Sequence, residues 1–134
     1  MNSLSDDIKD LLVAEFSYVF GTDLFISVQP KQPVDCVTLY DTGGSAPDGT
    51  IEGDQVYNRD TLQIIVRNKT YATAITKAYA IRKYLHNKVN FTQGSTNYIR
   101  ISAMGGVGDI SSGSNMTKDS SEFSLNFEAT REVN

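Results

Sequence analysis

The chain has 134 residues with 12 Lys and Arg, 16 Asp and Glu and one His, a formal net charge of −4, and it is 40% hydrophobic. That is one domain's length with apolar content enough for a core, so wholesale disorder is excluded. The acidic balance argues against binding driven by phosphate neutralisation, and no apolar run reaches the roughly 20 residues of a membrane span. The start, M-N-S-L-S-D-D-I-K-D, lacks the basic-then-apolar order of a secretory signal. A single cysteine, Cys36, excludes an intrachain disulfide and a cysteine-based zinc site.

In chain order, residues 3–20 read as a first helix. Ser3 or Ser5 caps it, Asp6 and Asp7 suit the positive end of its dipole, and Leu4, Ile8, Leu11, Leu12, Glu15 and Val19 share a face. Gly21 is placed to end it. Leu24 to Val28 alternates as a short strand, Pro30 and Pro33 break the pattern, and Cys36 to Tyr40 reads as a second strand with Cys36 as a buried small hydrophobe. Residues 42–59 are rich in Gly, Asp and Pro and read as a long loop.

Asp60 to Arg67 places Leu62, Ile64 and Val66 on one face of a third strand. After Asn68-Lys69 the period changes: Tyr71, Ala74, Ile75, Ala78, Ile81 and Leu85 fall at helical spacing, with Thr70 as N-cap. Tyr98 to Ala103 alternates again, with Ile99, Ile101 and Ala103 against Tyr98, Arg100 and Ser102. Residues 104–120 read as a second long loop, and Phe123, Leu125, Phe127 and Ala129 mark a last half-buried strand. The order α-β-β-β-α-β-β predicts a single α+β domain over 1–134. Its mostly antiparallel mixed sheet has about five strands, two helices packed on one face and two long loops.

The strand-to-helix unit T-L-Q-I-I-V-R-N-K-T-Y-A-T-A-I-T-K-A-Y-A-I-R-K-Y-L resembles the tail-terminator and minor capsid (neck) proteins of long-tailed bacteriophages. The match lies in Gln63, Val66 and Arg67, then Tyr71, Ala74, Ala78, Ile81 and Leu85. Upstream, the run Val37 to Gly44 is similar to that family's apolar strand ending in Y-D-T-x-G; a Pro common before the strand's Thr is replaced by Asp60. The resemblance implies a virion structural protein at the head–tail junction, assembled in the host bacterial cytoplasm. It implies a homo-oligomeric ring, usually a hexamer, with the tail tube protein and a head-completion or neck protein as partners. A head-side neck or minor capsid role is the alternative within the class.

One catalytic alternative needs weighing. Leu39-Tyr40-Asp41-Thr42-Gly43-Gly44-Ser45 resembles the D-T-G loop of aspartic proteases, which needs two aspartates sharing one proton. A second Gly intervenes before Ser45, and an amphipathic helix at 70–88 has no place in that all-β fold, so a strand-ending turn is preferred and no enzyme is expected. His86 reads as a helix-end residue. The glycines at 105, 106 and 108 lack the Lys-Ser/Thr of a phosphate loop. Asp41, Asp48, Glu52, Asp54 and Asp60 lack calcium-loop spacing. No cofactor or metal is expected.

Two long loops in so short a chain favour an interaction protein. Gln63, Arg67, Tyr98 and Arg100 are the expected subunit-interface residues, all assigned to the sheet face away from the helices. Asp48, Glu52, Asp54, Asp109 and Asp119 are expected to make an acidic lumen through which DNA passes without stable binding.

Overall fold

The change of hydrophobic period at Asn68 divides a long strand from the helix that folds back over it. The computed structural model describes residues 1–49, 55–110 and 120–132. In chain order these form α1 (Leu4–Phe16), β1 (Leu24–Ile26), β2 (Cys36–Gly49), β3 (Gln55–Asn68), α2 (Tyr71–Leu85), β4 (Lys88–Gln93), β5 (Thr96–Ala103), β6 (Gly108–Asp109) and β7 (Ser121–Glu132). One sheet runs β1-β2-β3-β7-β5-β4, with β6 continuing the edge of β7 that β5 leaves. β1 lies parallel to β2, and the other pairs are antiparallel.

The expected α+β class holds, with seven strands among the described residues rather than about five. β4 is one addition. It joins β5 through Gly94 and Ser95, both at positive φ (57° and 64°), the two-residue turn whose twist suits a hairpin. β6 is the other, inside the stretch read as a second loop.

Both helices pack on one sheet face. Leu62, Ile64 and Val66 of β3 share one buried core with Leu39, Phe123, Leu125 and Phe127 of the neighbouring strands, and Ile8 and Leu12 of α1 join it from above. Each such side chain contributes roughly 1.5–3 kcal/mol by leaving water. Ala74 and Ala78 are fully buried, and their small size lets α2 lie close on the strands.

Local chemistry sets the helix ends. Ser3 Oγ accepts the Asp6 N–H at 3.2 Å and so is the cap of α1. The helix stops at Phe16, short of residue 20, because Ser17 takes a left-handed conformation (φ 61°) and donates its N–H to the Val13 carbonyl. Val19 and Phe20 therefore leave the expected helical face and are exposed, while Tyr18 turns inward. At α2, Thr70 stands at the N-cap position without a side-chain cap bond. Asp35 and Asn68 hold the preceding turn instead, accepting the N–H groups of Lys69 (2.8 Å) and Thr70 (3.1 Å). His86 ends α2, and its Nδ1 accepts the Ala103 N–H at 2.9 Å.

Candidate functional site

Within the expected first loop, residues 42–49 and 55–59 are strand: β2 and β3 continue their ladder to Asp48↔Tyr57 and Gly49↔Gln55. The device that allows this is the T-G-G triplet. Thr42 is an extra residue between the pairs Asp41↔Leu62 and Gly43↔Thr61, and Gly43 and Gly44 follow at φ 95° and 120°. A Cβ on Gly44 would collide with the Arg59 carbonyl oxygen. Such bulges bend a strand while keeping it paired.

Asp41 has a separate task. Its Oδ1 accepts the Ser5 N–H (3.0 Å) and its Oδ2 the Ser5 hydroxyl (2.6 Å), so it caps the first turn of α1 from 36 residues away. Asp60, the nearest carboxylate along the facing strand, is held by Arg131, whose Nε and Nη2 lie 2.8 and 2.7 Å from Asp60 Oδ2. The two aspartates line one cleft with Ser3, Gly43, Thr61 and Arg131, each satisfied by its own donor. The protease reading requires two aspartates sharing one proton; within this subunit the two carboxylates are each bonded to their own donors instead.

Beside that cleft lies a buried polar cluster. Asp7 is fully buried, the Tyr98 hydroxyl donates to its Oδ2, and Arg131 Nη1 stands 3.7 Å away while donating to the Asn2 carbonyl (2.8 Å). Burial, then the hydrogen bond to Asp7, holds the Tyr98 phenol well above its usual range. The cluster ties the start of α1 to β3, β5 and β7. A Cβ on Gly94 would collide with Asp7 Oδ1, so the β4–β5 turn also closes on it.

The four expected interface residues divide. Tyr98 belongs to the core and not to the outer face. Between Tyr98↔Arg131 and Arg100↔Thr130 the register slips by one residue, Ile99, so Tyr98 and Ile101 both point under the helices. Arg67 is also committed internally. It is buried, and its guanidinium donates to the carbonyls of Pro30, Pro33 (3.1 Å) and Val34 (2.8 Å), pinning the proline loop across the outer face. Cys36 is buried beside it, and burial pushes its thiol up.

Gln63 is half-buried on the outer face between Tyr40 and Asn126, and Arg100 is exposed there, donating to Asn87 Oδ1 at 2.8 Å. Among the acidic candidates, Asp109 is exposed in β6 opposite Phe123, and the backbone of Asp48 pairs with Tyr57. Glu52, Asp54 and Asp119 lie outside the described residues.

Residues 11–133 match the family described as bacteriophage tail terminator protein. The chain belongs to that family, a class of virion structural proteins. No protein of curated function matches the sequence directly. Among solved structures, a chain of "Virion of native gene transfer agent (GTA) particle" is similar, with a TM-score of 0.58 and 16% identity, covering 98% of this chain and 96% of its own. A second solved chain is similar at a TM-score of 0.56 and 12% identity, over 93% of this chain and 89% of its own. Both are likenesses of fold.

Proposed function

We propose that this chain is a tail terminator, whose copies close into a ring, usually of six, that caps the tail tube and presents a surface to the head. The observation that carries this is the extent of the family match. It runs from residue 11 to 133, from inside α1 to the end of β7, rather than over a local motif. The bonding of Asp41 agrees with a structural role for the one string that resembled catalytic chemistry.

Gln63 and Arg100, which remain outward, are assigned contacts within the assembled particle; Arg67 and Tyr98 act by holding the subunit's shape. DNA passes through the ring without stable binding, and the free protein is expected to show no duplex affinity at physiological salt. Light scattering should give the mass of a closed oligomer, and electron microscopy of purified tail tubes mixed with the protein should show one ring at one tube end. Binding to head particles with no binding to tubes would make it a neck protein instead.

A further inference from the structure

Charge is segregated along this chain. Between Asp60 and Asp109 there is no Asp or Glu, whereas the first 60 residues hold only Lys9, Lys31 and Arg59 as basic residues. The fold turns that division into two different helix surfaces. α2 carries Arg82 and Lys83 toward one flank and Lys77 on the other. α1 carries Asp6, Asp10 and Glu15 on its surface, Asp7 being buried, and its single cation, Lys9, is paired to Asp10 at 3.3 Å.

Each surface also exposes apolar groups. At roughly 100° per residue, Tyr71, Ile75, Tyr79 and Arg82 fall in one narrow arc on a flank of α2. Tyr71 and Tyr79 are 54% and 55% exposed there, and Arg82 reaches the Gly105 carbonyl beside exposed Met104. Tyr84 projects from the opposite flank, where its ring meets Phe16 of α1 edge-on at 5.6 Å. At the far end of α1, Val19 and Phe20 are 57% and 52% exposed, with Val13, Asp10, Glu15 and Asp23 nearby in the chain. Lys9 Nζ lies 4.9 Å from the Phe20 ring centroid, so three carboxylates there stand against one cation. The basic aromatic flank and the acidic apolar end thus lie on different sides of one subunit.

We infer that these two surfaces bind each other between copies: the Tyr71–Ile75–Tyr79 flank of one subunit docks on the Val19–Phe20 end of α1 in the next. The inference rests on the ring reading above. Charge complementarity within one chain selects a second copy as the occupant, and the two patches being different makes the contact head-to-tail, the type that closes into rings. Aromatic side chains at the centre with opposite charges around them match the anatomy of a specific interface.

The test uses two variants of exposed side chains, Tyr79→Glu and Phe20→Glu, each with thermal unfolding checked against the parent chain. Light scattering over a concentration series should show either change weakening self-association more than about tenfold. Mixed together, the two variants should form a dimer and nothing larger, because each supplies one intact patch. Parent-like assembly of both variants would overturn this pairing and leave the ring reading standing. A mixture that gives no dimer would overturn the head-to-tail geometry. A parent chain that stays monomeric at every concentration would overturn the ring reading and this inference together. Duplex DNA binding by the parent that is lost in Tyr79→Glu would assign the flank to nucleic acid and also overturn it.

Discussion

The part of the sheet beneath the helices and the arm formed by the outer halves of β2 and β3 are built from the same two strands. They hold their shape by different means. From Cys36 to Asp41 and Leu62 to Asn68, Val37, Leu39, Leu62, Ile64 and Val66 are buried under the helices, while Cys36, Thr38, Ile65 and Arg67 are buried on the other face. Burial of the two sets enforces the register. Beyond Asp41 the exposed residues 42–45 have no core to face, and pairing persists because the glycines permit a bulge. Periodicity is thus a record of burial rather than of strand formation.

The largest expected break of that comparison lies where the covered part meets the arm. Arg131→Ala leaves Asp7 and Asp60 without their cation and should cost about 3–5 kcal/mol in urea unfolding. A stabilising effect would show that the cluster is not held by charge pairing.

Alkaline pH attacks the covered face from inside, with a smaller loss. Burial, then the charge of Asp23, pushes Tyr18 up to about 12, and burial likewise raises Tyr98. Unfolded phenols titrate near 10. The stability from keeping both neutral is therefore complete below about pH 10 and lost as pH rises through the raised values, about 12 for Tyr18 and higher for Tyr98. Tyr18→Phe should move the alkaline unfolding midpoint upward; an unmoved midpoint would remove Tyr18 as a contributor.

In the arm, Gly44→Ala should cost about 1–3 kcal/mol through its positive φ and the Arg59 carbonyl. Amide exchange should quicken first between Gly43 and Gly49, and protection unchanged there would show that the bulge tolerates a side chain. Asp41→Asn keeps an acceptor for Ser5 but loses the charge at the helix start, so about 1 kcal/mol is expected. Peptide hydrolysis that disappears in this variant would restore the protease reading.

The smallest change is on the outer face. Arg100→Glu should alter monomer stability by no more than about 0.5 kcal/mol, while weakening assembly with tubes or neighbouring copies. Unchanged assembly would move the contact elsewhere.

The sequence by itself determined the β3–α2 unit, because its apolar spacing changes period at Asn68 and every later contact agrees with it. It also carried the family resemblance, whose residues sit in that unit and in the run Val37 to Gly44 of β2. It contained the β4–β5 hairpin as well: Val89 and Phe91 alternate before the Gly94-Ser95 turn. Only the tertiary structure decided that Asp41 caps a helix 36 residues upstream, that Arg67 grips a proline loop, and that Arg131 compensates Asp7. It alone turned Tyr98 inward, through one extra residue at Ile99. Local spacing reports which side chains share a face, whereas a bulge or a buried charge is set by partners far along the chain.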